Sequence, residues 1–108
     1  MNTRTALNKL IKLCKDYTYL YEETGLVGVH SNFIQVTEEF FVDFVAWLTA
    51  DFTVEKRKFD TKYPLSASFI QDGVTFEVIG TVQEFESVHL PIEAGTYTHN
   101  WLNGVSNE

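Results

Sequence analysis

Glu86, His89, Glu93 and His99 bring imidazoles and carboxylates into one short segment, and these side chains ligate zinc or exchange protons near neutral pH. Their spacing carries no mechanical reason for either chemistry. A helical zinc site puts two histidines one turn apart beside a glutamate, and no such arrangement occurs here. The third histidine, His30, stands far away in the chain. The single cysteine, Cys14, sits inside an apolar helical pattern, where a thiol behaves as a small hydrophobe rather than as a nucleophile. The six glycines are scattered at turn positions and form neither a phosphate loop nor a dinucleotide fingerprint. No pair of acids has a spacing that forces two carboxylates onto one site. The expectation is a protein with no cofactor and no metal that works by binding and is not an enzyme.

Charge is the stronger signal. Four of the eight basic residues, Lys56, Arg57, Lys58 and Lys62, lie in the stretch VEKRKFDTKY, and none follows Lys62. Residues 1–62 carry nine acids against those eight bases, whereas residues 63–108 carry six acids and no base, in a chain of net charge -7. If the C-terminal half is contiguous in space, it repels nucleic acid and anionic membrane and attracts a basic protein surface. Asp72, Glu77, Glu84 and Glu86 are the candidate contacts for such a partner. The basic cluster is a thin footprint for phosphate, which needs many cations on one face, so no direct nucleic-acid binding is expected. It reads either as a secondary patch or as a guard on an edge strand. Period-2 alternation would put Lys56 and Lys58 on one face and Arg57 and Phe59 on the other.

The elements that must position these residues follow from the apolar spacing. The chain has 108 residues, with 44% hydrophobic and 15% aromatic composition, which suits one domain, 1–108, with a single core and a frayed end at 103–108. Leu7, Leu10, Ile11, Cys14, Tyr17 and Tyr21 share one face of a helix over residues 3–22, with Arg4, Lys12 and Lys15 opposite, and Gly25 ends it. LVGVHSNFIQV reads as two strands about Ser31-Asn32. TEEFFVDFVAWLTA reads as a second helix, capped by Thr37, with a staple between Val36 and Phe41 and with Phe40, Phe41, Phe44, Trp47 and Leu48 as core. FTVEKRKF, PLSASFIQ and VTFEVIG are three further strands. Asp72-Gly73 makes the hairpin that sets Phe69 against Phe76 and Ala67 against Val78, leaving Ser68 and Glu77 on the other face. The segment from Thr81 reads as a strand or an ordered loop. The fold class is α+β: two helices packed on one face of a small, mainly antiparallel sheet with a C-terminal three-strand meander.

Apolar runs stay well short of the roughly 18 residues that span a bilayer, and Lys9 and Lys12 interrupt the N-terminal ones, so neither a membrane span nor a secretion signal is read. The lone cysteine suits a reducing compartment, so a cytoplasmic location is expected.

The segments FIQVTEEFFVDF and KYPLSASFIQDGVTFEVIG, in a short, acidic, single-cysteine chain, resemble the small accessory proteins encoded by phages and prophages of Gram-positive bacteria. That group includes inhibitors of bacterial defence such as anti-CRISPR proteins. The resemblance covers residues 25–80 and carries over no individual functional residue. It implies a stoichiometric binder in the cytoplasm of a bacterial host. The leading expectation is an inhibitor that sets its carboxylates into the basic nucleic-acid groove of a CRISPR effector nuclease, where arginines read the PAM and a basic channel holds the heteroduplex. Two alternatives stay open. One is a regulatory or assembly module acting through homo-oligomerisation. The other is a small ligand-binding or enzymatic domain, which a deep pocket holding His89 or His99 beside a carboxylate would favour.

Overall fold

Asp72 and Gly73 take φ of 54° and 79°, the two positive values that a type I′ hairpin turn requires. The turn joins β4 (Leu65–Gln71) to β5 (Val74–Gly80) and sets the expected register, with Phe69 opposite Phe76, Ala67 opposite Val78 and Ser68 opposite Glu77. In the computed structural model that describes the protein, residues 2–102 are placed, without the side chains of Leu10, Cys14 and Thr24. The expected fraying of residues 103–108 and the assignment of Leu10 and Cys14 to an apolar face therefore fall outside the described residues.

The chain opens with α1 (Thr3–Thr24), followed by β1 (Leu26–His30), β2 (Phe33–Val36), α2 (Glu38–Leu48) and β3 (Phe52–Lys56). After β4 and β5 come α3 (Val82–Ser87) and β6 (Gly95–Tyr97). The six strands form one sheet in the order β1-β2-β5-β4-β3-β6. Every neighbouring pair is antiparallel except β2 and β5, which run parallel. The class is thus α+β, with a mainly antiparallel sheet and the meander β3-β4-β5. Because β2 and β3 point the same way with β5 and β4 between them, α2 crosses one face of the sheet to connect them, as a same-direction connection demands.

Side chains on that face make the core: Phe52 and Val54, Leu65, Ala67 and Phe69, Val78, and Val36 from β2. Phe41 and Val45 from α2 and Phe85 from α3 close it. Phe41 sits edge-on to Phe52 at 6.0 Å and tilted against Phe69 at 5.4 Å. The opposite face is a polar row of Gln35, Glu77, Ser68, Thr53 and Thr96, one from each of five neighbouring strands.

Three expectations need correction. Trp47 is not core: it is 84% exposed. On α2, Phe41, Val45 and Leu48 form one i, i+4, i+7 stripe, and Phe40, Phe44 and Trp47 form another roughly 100° around the helix. Only the first stripe points into the sheet, so Phe44 is half-buried and Trp47 stands outside. Next, the strand over FTVEKRKF stops at Lys56, because Arg57 turns the chain. Its guanidinium donates to Asp60 at 2.7 Å and to the Tyr63 carbonyl at 3.0 Å. Of the four clustered bases, only Lys56 lies on a strand. Finally, Thr81 begins a helix rather than a strand or loop. Its hydroxyl accepts from the Glu84 N–H at 3.0 Å, while the Glu84 carboxylate accepts from the Thr81 N–H at 2.8 Å, a complete capping box.

Helix α1 ends at Gly25, which takes φ 70° and donates its N–H to the Tyr21 carbonyl at 3.1 Å. An added Cβ there would stand 2.2 Å from the Phe40 ring, so the start of the sheet approaches α2 as closely as backbone allows. Tyr17 donates its hydroxyl to the Val27 carbonyl on β1. Leu20 on α1 joins Leu26, Val29, Ile34 and Val36 around a hollow, while Leu7 and Ile11 nearer its start are exposed; the described residues measure 59 × 31 × 23 Å.

Candidate interaction surface

The outward stripe of α2 builds the most distinctive surface. Phe40 and Phe44 stack in a tilted pair at 6.1 Å, Phe44 meets Phe76 at 6.2 Å, and Phe76 lies parallel to its cross-strand neighbour Phe69 at 5.1 Å. Together with Trp47, Leu48 and Asp43 these residues line a hollow of about 600 Å³. A second apolar hollow of about 250 Å³, lined by Leu20, Leu26, Val29, Ile34 and Val36, continues from it and shares Phe44 and Phe76. The cause is geometric. The helix crossing covers β5, β4 and β3, and leaves the β1–β2 end of the same apolar face open between sheet and helix. Among the described residues, Asp43 is the one charged group lining this trench. Glu39, one turn earlier on α2, shares its solvent side, and α2 contains no lysine or arginine.

On the other flank of α2, burial raises the Glu38 carboxyl above its ordinary range, and the nearby carboxylates of Glu84 and Glu39 add to the effect. Glu84 therefore faces α2 as well as capping α3. Glu86 is exposed on α3. The other two sequence candidates lie elsewhere. Asp72 is at the hairpin turn, and the seven residues of β5, about 23 Å of strand, separate it from α3. Glu77 is half-buried on the polar sheet face and accepts from the Gln35 amide at 3.1 Å. The four carboxylates are spread over both faces and both ends of β5.

Nor does the charge polarity of the sequence survive folding. Glu77 lines a hollow of about 480 Å³ with Lys56, Arg57, Lys58, Glu55 and Asp60, because β5 and β3 are separated only by β4. Lys56 lies 3.6 Å from Glu93. Arg57 is committed to holding its own loop, and the Tyr63 and Lys62 N–H groups, with Arg57, hold the Asp60 carboxyl below the ordinary carboxylate range. Lys62 sits over the Tyr63 ring at 5.4 Å. Lys58 is exposed beside Phe59, which is 99% exposed at the loop tip. β6 pairs with the outer side of β3 from Phe52 to Val54, and this pairing ends before Lys56.

The histidines are dispersed. His30 ends β1, His99 begins a short 3-10 turn, and exposed His89 takes φ 64° after α3, with its carbonyl accepting from the Trp101 indole at 3.0 Å. Among the described residues no three His, Cys, Asp or Glu side chains are grouped to hold a metal ion, and no helix is long and apolar enough to cross a membrane.

The aromatic trench was missed because its residues read as core in the sequence. The available signal was the doubled i, i+4, i+7 stripe on α2, more apolar surface than one short helix can bury against one sheet. No protein-family model, curated protein or solved structure matches the chain.

Proposed function

We propose that the protein is a non-catalytic binding module whose trench beside α2 receives an apolar anchor of a protein partner that carries basic side chains around it. The observation that supports this is Trp47, 84% exposed at the mouth of a hollow walled by Phe40, Phe44, Phe69 and Phe76. Tryptophan gains much when desolvated against a partner, and an exposed tryptophan over an aromatic-lined hollow marks an interface rather than ordinary surface. Asp43 and Glu39 beside the trench, with no base on α2, favour arginine or lysine at the rim of the partner. A phage-encoded inhibitor that occupies the basic nucleic-acid surface of a CRISPR effector nuclease is a concrete case of such a module. In this case the aromatic trench supplies affinity, and the carboxylates, including Glu84 and Glu86, supply orientation and speed of encounter.

The test is calorimetric titration of guide-free CRISPR effector nucleases from Gram-positive bacteria. Binding that weakens at least about 30-fold on Trp47→Ala, the scale of a hot-spot tryptophan, supports the proposal. Binding unaffected by Trp47→Ala but abolished by reversing Asp72, Glu77, Glu84 and Glu86 to lysine would relocate the site to those carboxylates. Absence of binding to every nuclease tried would remove the inhibitor reading. Failure of Trp47→Ala to weaken binding to any basic protein partner would remove the trench as the site.

A further inference from the structure

We propose that α1 is an antiparallel pairing helix that joins the chain to a second copy of itself. Leu7, Ile11, Leu13 and Tyr21 on α1 are 56%, 46%, 60% and 53% exposed, although each is a residue that folding normally removes from water. In the sequence, positions 7, 10, 14, 17 and 21 are apolar at alternating intervals of three and four, the spacing of a helix-pairing seam. The sheet meets the last turns through the Tyr17 hydroxyl on the Val27 carbonyl and at Leu20, which lines a hollow with Leu26 and Ile34. Leu7 and Ile11, in the first half of α1, are exposed.

Charge identifies the occupant. Along α1 the four bases Arg4, Lys9, Lys12 and Lys15 all precede the three acids Asp16, Glu22 and Glu23. The first turn has no acid and the last turn has no base, so these charges add to the helix macrodipole instead of opposing it, an arrangement unfavourable in a lone helix. The Lys12–Asp16 pair, 2.8 Å apart and exposed, offsets part of it within the chain. A second α1 laid antiparallel places its acidic half on the basic half of the first, reverses the dipole alongside, and repeats both contacts by two-fold symmetry, so the assembly closes at two copies. A parallel copy would set base on base and acid on acid. Leu20 near the end of α1 lines the smaller hollow, but the pairing uses no residue of the larger one walled by Phe40, Phe44, Trp47 and Phe76, so it stands independently of the proposed function.

Sedimentation equilibrium from micromolar to several hundred micromolar tests the pairing. The expected mass rises from 12.4 kDa towards twice that value, with a dissociation constant at least about tenfold weaker in high salt than in low. Leu7→Glu with Ile11→Glu should leave a monomer with an intact sheet. Two reversed chains give the sharper result: Arg4→Glu/Lys9→Glu/Lys15→Glu, and Asp16→Lys/Glu22→Lys/Glu23→Lys. Each should fail to pair with itself by at least about tenfold, and an equimolar mixture of the two should pair. Each reversal corrects the charge at one end of α1 relative to its dipole, and helix content by circular dichroism shows that lost pairing is not a melted helix. A monomer at every concentration overturns the proposal. So does a dimer that survives the Leu7/Ile11 substitutions, or one that survives either charge reversal. A dimer lost on Trp47→Ala while α1 variants retain it also overturns the proposal.

Discussion

Replacing Phe41 with alanine should come close to unfolding the protein, whereas replacing Trp47, six residues along the same helix, should leave its stability nearly unchanged. Phe41 is fully buried, with its ring against Phe52 and Phe69. A phenylalanine side chain removes about 200 Å² from water, which at about 25 cal/mol per Å² is near 5 kcal/mol, and measured losses on truncation to alanine run about 3–5 kcal/mol once the cavity is included. A domain of this size has about 5–15 kcal/mol in total. Trp47 is 84% exposed, so about a sixth of its ~250 Å² is buried, and its loss costs at most about 1 kcal/mol. Alanine returns a few tenths of a kcal/mol as a better helix former. Urea and thermal melts followed by far-UV circular dichroism, a signal that does not depend on tryptophan, separate the two. At roughly 4–8 °C per kcal/mol, Phe41→Ala should lower Tm by at least about 12 °C and Trp47→Ala by no more than about 8 °C. Equal losses would refute the reasoning, because they would mean that α2 is rotated to send its second stripe into the sheet.

Three further outcomes test other parts of the fold. Gly25→Ala should destabilise by about 2–5 kcal/mol and Gly73→Ala by about 1–2, in urea melts: both positions have positive φ, but the added Cβ meets Phe40 and Thr37 at the first and open space at the second. Comparable losses at the two would mean that the Phe40 contact is not there. For Glu38, burial holds the folded-state carboxyl above the unfolded value of 4.5, so the folded form binds the proton more tightly. The contribution of Glu38 is then favourable below about pH 4.5 and is lost as pH rises through the raised folded value. Glu38→Gln should therefore raise Tm at pH 7 relative to the parent and give no gain at pH 3; the reverse order would contradict the burial. Thr81→Val should cost about 1 kcal/mol by removing one arm of the capping box, and should speed hydrogen exchange at Phe85 and Leu90, whose N–H groups bond to the Thr81 and Phe85 carbonyls. Unchanged exchange there would show that α3 does not depend on its cap.

What the sequence made legible was local. Asp72-Gly73 states its turn, and the turn states the register of β4 and β5, because two left-handed residues leave one hairpin geometry. The extent of α2 followed from Thr37, Glu38 and Glu39, although the Thr37 side chain makes no capping bond. Which stripe of α2 faces inward was not legible, because Phe40/Phe44/Trp47 and Phe41/Val45/Leu48 have the same period and the same hydrophobicity. The choice is made by the sheet, through partners as distant as Phe52 and Phe69. The α3 helix was hidden by its brevity, since six residues give no periodicity, although Thr81 and Glu84 carry the cap pattern in plain sight. The candidate carboxylates failed to converge for a related reason: adjacency in sequence became separation along β5, and charges of opposite sign were folded onto one hollow by β3 and β5. For α1, the spacing revealed the helix but not that its apolar side would remain uncovered.

The parallel pairing of β2 with β5 has a consequence for how the chain comes together and comes apart. Phe33, Ile34 and Gln35 pair with Thr75, Phe76 and Glu77, forty-two positions later in the chain. Closing so long a loop is entropically costly, and three paired residues return little until the meander is already in place. Among the described residues of the buried cluster, Val36 is the only contributor from the first thirty-six positions. The N-terminal helix and hairpin should therefore dock late and release early, at a free energy below that of global unfolding. Amides in β1 and β2 should then exchange through a partial opening that leaves the meander complete, while those of β4 and β5 wait for the whole domain to unfold; equal protection across the sheet would refute this.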